Sequence, residues 1–337
     1  MPRARPAKQV ATLAVPAAII SALGYGAYRT RLLALLQQYL SRSDRTSRVF
    51  ALLLLIVNWK SLPFAWTFRV WYTMVTHILL RKPPSYPPSS LFSPVVTSSH
   101  VSLFETDYNL HKSNSTYFAD LDVSRSHLVS HITARGIKLL NRNAMTRLVM
   151  DPTSPNKPAK GRFGVFLGAV QCTFHREIGP FQRYEMWSRV LAWDRKWLYM
   201  VTHFVEKGAS KAGKKIVLET QGAEKGQGKD VAKVYGTAVS KYVFKMGRLT
   251  VHPAVLLDAS GLLPARDGGW VIGEEGVVEQ DDLGEVSNQE VGKWSWIQTE
   301  QKRREGMKYA AHFAALEGLS KFFDGDTDAV LGNFAVG

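Results

Sequence analysis

The sequence predicts an α+β domain in which one long helix packs against an antiparallel sheet, preceded by a separate apolar region. Three observations predict this architecture: strand-like segments that begin near residue 95, one long helical pattern after residue 114, and a Pro/Ser-rich boundary before both. The apolar content of 45% is sufficient for a normal core, and 337 residues allow one large domain or two small ones.

Positive charge is concentrated in the first 82 residues. They contain 12 of the 43 Lys and Arg residues and only one acid, Asp44, and therefore carry +11 of the formal net charge of +15. Basic residues beside apolar segments are typical of membrane-proximal regions, where they contact anionic headgroups. We therefore expect residues 1–82 to form a membrane anchor of apolar helices, and we expect no nucleic-acid partner.

Two apolar segments lie in this region. Val10–Tyr28 has no charge over 19 residues, close to the ~20 that cross a bilayer as a helix. A cleaved signal peptide or a mitochondrial targeting segment would begin similarly. Phe50–Leu80 contains Lys60, Arg69 and His77 among its tryptophans. We interpret it as a short span or re-entrant helix from about Phe50 that continues as an interfacial helix; a buried core hairpin is the alternative.

Domain boundaries follow from composition. A Pro/Ser-rich linker occupies residues 83–94, because its prolines cannot continue a helix. The predicted domain spans residues 95–325 and contains a Gly- and Lys-rich insertion at 206–236, and residues 326–337 form a tail. The lysines of the insertion would meet ligand phosphates or belong to a solvated loop.

The domain's elements follow in chain order. The helical pattern runs from Ser115 to about Ala134, and its 3.6-residue spacing places one stripe of residues on a single face: Asn114, Tyr117, Leu121, Leu128 and Ile132. A second helix runs from about Thr299 to Phe323. Between two β-rich runs, Asp194 marks a hairpin turn. The predicted strands are Val95–Phe104, Phe163–Arg176, Tyr184–Trp193, Lys196–Val205 and a region within Ala238–Val255.

A polar run, ETDYNLHKSNSTYFADLDVSR, occupies Glu105–Arg125 between the first strand and the long helix. Packing alone gives no obvious reason for its chemistry. An acid, a histidine, an asparagine and a tyrosine come at regular short spacings, and an acid and an arginine follow on the helix. These residues are Asp107, His111, Asn114, Tyr117, Asp122 and Arg125.

This run resembles the start of hotdog-fold thioesterases of the 4-hydroxybenzoyl-CoA type, which have an acid, a GHVNN-like turn, a tyrosine and a helical acid with an arginine. Phe181–Val205, Tyr242–Pro253 and Arg304–Leu319 resemble the thioesterase superfamily member 6-like branch, which joins an N-terminal hydrophobic anchor to one hotdog domain. The resemblance covers about residues 90–325.

The sequence departs from the family pattern at three positions. Leu110 stands where the family has glycine, and Ser113 stands where it has the first asparagine. Asp122 replaces the commoner glutamate.

The resemblance implies a single hotdog domain, in which the sheet wraps the long helix and the helix N-terminus faces the thioester carbonyl. Asp107 would be the general base or nucleophile. His111 and Asn114 would shape the catalytic turn or position water and thioester. Substrate-binding or supporting roles would fall to Tyr117, Asp122 and Arg125.

Each candidate also has a purely structural interpretation. Asp107 and Asn114 could cap turns and the helix start, and His111 could be a hydrogen-bonded turn residue. Asp122 and Arg125 have the i,i+3 spacing of an intrahelical ion pair. The single cysteine, Cys172, lies in an apolar run and is expected to be a small buried hydrophobe rather than a reactive thiol.

The resemblance, together with the basic apolar N-terminus, therefore implies a membrane-anchored thioesterase that hydrolyses acyl-CoA-type thioesters without a cofactor. The alternatives are a non-catalytic protein that binds acyl lipid or acyl-CoA, and a membrane-tethered dimerising scaffold. No P-loop, dinucleotide-binding glycine motif, HExxH or CxxC is present in the sequence, so we predict no metal site. By resemblance we expect a homodimer or larger assembly at the endoplasmic reticulum, with mitochondria as the second location.

Overall fold

The computed structural model describes residues 45–209, 232–271 and 294–322, and parts of a helical stretch between residues 30 and 38. Packing divides the chain into two compact units, Met1–Leu62 and Pro63–Gly337. Residues 63–82, which the sequence groups with the apolar N-terminus, thus pack with the larger unit. The domain ranges given above stay a prediction, and the apolar segment Val10–Tyr28 lies outside the described residues.

The first unit contains helix α1, Arg45–Val57, followed by a 3-10 turn at Trp59–Ser61. The helix ends where the side chain of Asn58 turns back and donates to the carbonyl of Leu54 at 2.8 Å. No helix in the described part of the chain is both long and apolar enough to cross a membrane. The spanning or re-entrant helix predicted from about Phe50 is therefore not supported, because this apolar run is divided into short helical pieces.

The second unit combines a sheet with several helices. Its described elements are α2 (Ala65–Met74), the π turn (Val75–Leu80), β1 (Val95–His100), α3 (Thr116–Ile132), α4 (Ala134–Leu140), α5 (Asn143–Thr146), β2 (Met150–Asp151), β3 (Ser154–Pro158), β4 (Phe163–Phe174), β5 (Arg183–Trp193), β6 (Trp197–Glu206), β7 (Val234–Met246), β8 (Leu249–Val251), α6 (Pro253–Ala259) and α7 (Trp296–Ala315).

The main sheet is antiparallel throughout, with strand order β1–β5–β6–β7–β4 and β8 paired to β7. The predicted hairpin turn between β5 and β6 is confirmed. There Asp194 Oδ1 accepts the backbone amides of Lys196 and Trp197, each at 2.7 Å. The last predicted strand region is divided into β7, β8 and the start of α6, because Pro253 occupies the first turn of that helix.

Helix α3 is the central element and packs against β1, β5 and β6. The predicted helix between Ser115 and Ala134 is confirmed, and its apolar stripe is buried at Tyr117, Leu121 and Leu128. Asn114, which the spacing places on the same stripe, is exposed just before the helix begins. The stripe holds the helix in the sheet because burying each apolar side chain contributes about 1.5–3 kcal/mol.

Helix α7 covers the opposite face of the sheet. Met200 packs against Leu128 of α3, whereas its neighbour Tyr199 packs against Phe313 of α7, as expected for alternating side chains on a strand. Close approach of α7 to β5 depends on Gly306, where an added Cβ would lie 2.1 Å from the carbonyl oxygen of Leu191. The sheet is therefore covered by helices on both faces.

An antiparallel sheet that wraps a long helix is the hotdog arrangement, so the predicted α+β fold class is confirmed. Most of the predicted insertion at 206–236 lies outside the described residues.

Candidate active site

The polar run after β1 forms a tight hairpin that leads into α3. A bridge joins Thr106 to Lys112, and the amide of Asp107 donates to the carbonyl of His111 at 2.9 Å. The amide of Lys112 donates to the carbonyl of Ile178 at 2.8 Å, which ties the hairpin to the segment before β5. Backbone pairing thus places Asp107 and His111 opposite each other.

The side chains of Asp107 and His111 form a partly exposed pair. Asp107 Oδ1 accepts the amide of Asn109 at 2.9 Å and lies 3.5 Å from the amide of His111. The other oxygen, Oδ2, lies 3.5 Å from His111 Nδ1, while His111 Nε2 lies 3.6 Å from Glu177 Oε1. One carboxylate oxygen therefore caps the turn, as the structural interpretation expects. The second is held beside an imidazole, and the two side chains are 23% and 25% exposed, so water can reach them.

Leu110 occupies the tip of this turn with φ of 63°. This is the left-handed conformation, which costs an L-residue about 1–2 kcal/mol and which glycine adopts freely. The side chain is 73% exposed, so burial does not repay that cost. Leu110 thus keeps a backbone conformation suited to the glycine that the family pattern has at this position.

The N-terminus of α3, at Thr116, follows five residues after His111. Its N-cap residue, Ser115, makes no side-chain capping hydrogen bond. Ser113 instead accepts the amide and the hydroxyl of Thr116 through its carbonyl, at 3.0 and 2.7 Å. Asn114 is exposed and offers its carbonyl to the amide of Tyr117 at 3.4 Å, and no capping bond from its side chain is observed. A helix N-terminus without a side-chain cap can direct the positive end of its dipole at an anion.

The supporting candidates are distributed over two environments. Tyr117 is buried and its ring contacts those of Phe174 and Phe204, so it packs the helix start. Burial raises the pKa of its hydroxyl. Asp122 and Arg125 form the expected i,i+3 ion pair.

Arg125 also has contacts that its spacing did not predict. It is 1% exposed, donates through Nη1 to Ser240 of β7 at 2.9 Å, and its guanidinium lies over the ring of Tyr242. Asp122 accepts from the indole of Trp66 on α2 at 3.2 Å. The pair therefore joins α3 to its neighbours and does not lie beside the Asp107–His111 pair in the hairpin.

Cys172 is half-buried and packs at the edge of the core around Tyr117. Burial raises the pKa of its thiol to about 11. This agrees with the expected hydrophobic role, since the thiolate is the nucleophilic form.

A buried charge cluster lies directly beneath the hairpin, and sequence reasoning missed it. Lys112 is 2% exposed, and its Nζ lies 3.2 Å from Glu105 Oε1 and 3.0 Å from Asp120 Oδ2. Asp120 also accepts from Arg69 of α2 at 3.1 Å and from the hydroxyl of Tyr184. Two cations thus meet two carboxylates, which is how charge is tolerated in a protein interior.

One sequence signal pointed to this cluster. Asp120 comes three residues after Tyr117 and directly before Leu121, so it lies at the margin of the predicted apolar stripe. A buried carboxylate requires a cation, and Lys112 was the nearest one before the helix. Arg69 could not be assigned in this way, because it is 51 residues away in sequence.

No metal-binding arrangement is visible at the site. In the part of the chain that the structure describes, no group of three or more His, Cys, Asp or Glu side chains could hold a metal ion.

Comparison with known proteins identifies similar chains. A family model described as the thioesterase-like superfamily matches residues 101–241, which include the hairpin, α3 and β4 to β6. Thioesterase poxG of Penicillium oxalicum is 38% identical over 290 residues, covering 82% of this chain and 87% of that protein. Probable thioesterase atnL of Emericella nidulans is 34% identical over 292 residues, covering 83% of this chain and 89% of its own length. Thioesterase lcsJ of Purpureocillium lilacinum is 33% identical over 286 residues, covering 76% and 86% of the two chains.

Proposed function

Because this chain belongs to the thioesterase-like superfamily and is a hydrolase that acts on thioesters, we propose that it hydrolyses acyl-CoA thioesters with Asp107 as general base or nucleophile. We place it in the thioesterase superfamily member 6-like branch. The observation that carries the proposal is a water-accessible carboxylate, paired with His111, in the hairpin just before a helix N-terminus that has no side-chain cap.

The chemistry divides into two steps. With Asp107 as base, its carboxylate takes a proton from water while the water oxygen bonds to the thioester carbon. The carbonyl oxygen becomes an oxyanion, which the positive end of the α3 helix dipole stabilises. The C–S bond then breaks, the carbonyl reforms, and CoA leaves as a thiolate that gains a proton. With Asp107 as nucleophile, an anhydride forms first and water hydrolyses it.

His111 and Asn114 have supporting roles in this proposal. His111 fixes the orientation of the carboxylate through Nδ1, at 3.5 Å from Asp107 Oδ2. Asn114 is exposed beside the helix start and would contact the thioester or the water. Tyr117, Asp122 and Arg125 support the helix through packing and the bond to Ser240.

The test is hydrolysis of short to long acyl-CoAs by the full-length protein and by Asp107→Asn. We expect kcat of the variant to fall at least about 10²-fold, the lower range for a positioned general base. The matched control is Glu177→Gln, which removes the other carboxylate near His111 from a side chain that is 78% exposed; we expect its kcat to change less than threefold.

Two other outcomes would refute the proposal. If the folded wild-type protein hydrolyses none of the acyl-CoAs, whether or not it binds them, the proposed acyl-CoA substrate class is wrong. Equal activity of wild type and Asp107→Asn would refute the role of Asp107.

A membrane is the proposed partner. The proposal is supported by α2, whose polar residues face the protein and whose large apolar residues face outward. Its polar residues Arg69 and Thr73 face α3, where they bond to Asp120 and His127. Its large apolar residues face outward, with Phe68 72% exposed and Trp71 60% exposed. Exposed aromatic residues at this spacing fit the interfacial region of a bilayer. By family resemblance the proposed membrane is that of the endoplasmic reticulum, with mitochondria second.

A single-cysteine label tests this contact in the full-length protein. In a Cys172→Ser background, an environment-sensitive fluorophore is placed on Phe68→Cys or, as control, on Tyr309→Cys, an exposed position of α7. On anionic phospholipid vesicles we expect a blue shift for the label at position 68 only. Equal responses at both positions, or no response at position 68, would refute contact through α2.

A homodimer is the second proposed partner, formed through β4. This strand lies at one edge of the sheet order, is 12 residues long, and exposes Phe166 and Leu167. An exposed apolar edge strand offers unpaired backbone groups to a second chain. We expect Phe166→Lys combined with Leu167→Lys to convert the dimer to monomer in light scattering, and Tyr309→Lys to leave the mass unchanged.

A further inference from the structure

Three histidines are joined by hydrogen bonds: His127 and His131 on α3, and His77 in the π turn that follows α2. His127 Nδ1 lies 3.0 Å from His77 Nε2, and His77 Nδ1 lies 3.3 Å from His131 Nδ1. At one end, Thr73 Oγ1 lies 3.1 Å from His127 Nε2. At the other, the hydroxyl of Tyr86 lies 2.7 Å from His131 Nε2. The proposed hydrolysis uses none of these groups.

The protonation states follow from Thr73. Its hydroxyl proton is donated to the carbonyl of Arg69 at 2.9 Å, so toward His127 it can only accept. His127 therefore carries its proton on Nε2 and accepts through Nδ1. The same step repeated assigns His77 its proton on Nε2 and His131 its proton on Nδ1, and Tyr86 donates to the last free nitrogen. Three neutral imidazoles satisfy every bond of the chain.

We propose that these hydrogen-bonded histidines form a proton-sensitive latch, which holds the π turn Val75–Leu80 against α3 at neutral pH and releases it in acid. The residues that form the latch are Thr73, His77 and Tyr86 on one side and His127 and His131 on α3.

The surroundings of the rings oppose protonation while the latch is closed. Burial lowers the pKa of all three, and lowers that of His127 to about 4. Arg81, at the end of the π turn, repels a proton on each ring, and Arg69 of α2 repels one on His127. Arg69 is itself paired with Asp120. A second proton on any of the three rings would also convert its accepting nitrogen to a donor, which would then face the donor of the neighbouring group.

The sign of the pH effect follows from these depressed pKa values. In the open form the rings regain the ordinary pKa near 6.5 and bind protons that the closed form excludes. The latch is fully stable above pH 6.5 and weakens as pH falls from there toward about 4, the pKa of His127 in the closed form. Each additional proton bound on opening raises the opening equilibrium up to about tenfold per pH unit.

Opening is confined to the end of α2 because other bonds hold its beginning. Arg69 stays bonded to Asp120 and Trp66 to Asp122, and neither bond involves histidine. Ile78 packs against the core and opposes opening at every pH. The released segment is therefore about residues 73–82, adjacent to the Pro/Ser linker.

Hydrogen–deuterium exchange of the full-length protein tests the latch directly. After correction for intrinsic exchange rates, we expect protection of amides in residues 73–82 to fall at least about tenfold between pH 7.5 and 5.5, as uptake of a single proton already allows. Amides of α6 should keep their protection, which distinguishes local opening from global unfolding.

Two variants complete the test. His77→Gln keeps a side chain that can donate and accept but cannot be protonated, so the pH dependence of protection in residues 73–82 should decrease at least threefold. The control His203→Asn removes another half-buried histidine, and burial also lowers the pKa of His203 to about 4. His203 contacts Thr237 and none of the latch residues, so its replacement should leave the pH dependence of protection in residues 73–82 unchanged. Equal protection at both pH values, loss of protection in all segments together, or an unchanged dependence in His77→Gln would overturn the proposal.

Discussion

Replacement of Lys112 by methionine tests the charge cluster beneath the hairpin. Methionine keeps most of the apolar stem and removes only the buried cation, which lies 3.2 Å from Glu105 and 3.0 Å from Asp120. Glu105 would retain the amide and hydroxyl of Ser102, and Asp120 would retain Arg69, so both carboxylates stay partly satisfied. Removing one partner of a buried ion pair costs about 3–5 kcal/mol, and we expect a loss in that range.

The assay is denaturant unfolding, with thermal unfolding as a second measurement. At roughly 2–4 °C per kcal/mol for a domain of this size, we expect Tm to fall by about 6–20 °C. The matched control is Lys308→Met on the exposed surface of α7, which should change the free energy of unfolding by less than about 0.5 kcal/mol.

A double-mutant cycle separates the charge effect from packing. Because Glu105→Gln neutralises one of the carboxylates, the double variant with Lys112→Met should lose about 1–3 kcal/mol less than the sum of the single variants. A loss below about 1 kcal/mol for Lys112→Met, or strict additivity with Glu105→Gln, would show that the cluster does not stabilise the fold.

Two glycine-related predictions can be measured in the same way. Gly306→Ala places a methyl group 2.1 Å from the Leu191 carbonyl oxygen and should destabilise the packing of α7 on β5 by about 1–3 kcal/mol. The control Gly318→Ala, with no atom within 4 Å of the added carbon, should be neutral or slightly stabilising. Leu110→Gly relieves the left-handed conformation at φ of 63° and should stabilise the protein by about 0.5–1 kcal/mol. Destabilisation by this last change would mean that the exposed leucine makes a contact that outweighs the strain.

The regular elements were predictable because their signals are local. Alternation and β-branched residues defined β4, β5 and β6 to within a few residues, and Asp194 identified the turn that joins two of them. Helix α3 followed from its 3.6-residue period. The spanning or re-entrant helix predicted within Phe50–Leu80 was not supported, since apolar content gave no indication that the helix ends near Asn58.

The site was predictable only in part. Asp107 and His111 do form a pair, because four residues of tight turn bring them together. Asn114 was expected on the helix stripe and is exposed instead. Spacing also could not show that Arg125 is buried and extends across the core to Ser240, since that partner lies 115 residues away in sequence.

The sequence by itself determined helix α3, strands β4 to β6 with the turn between two of them, and the position of the polar run before α3. Each of these depends on neighbours within about one or two turns of chain, so periodicity encodes them. The tertiary structure alone decided the pairing of Arg69 with Asp120 and the hydrogen bonds that join His77, His127 and His131. These contacts join α2 and the π turn to α3 across some 50 residues, and they exist only because the polar sides of α2 and the π turn pack on α3.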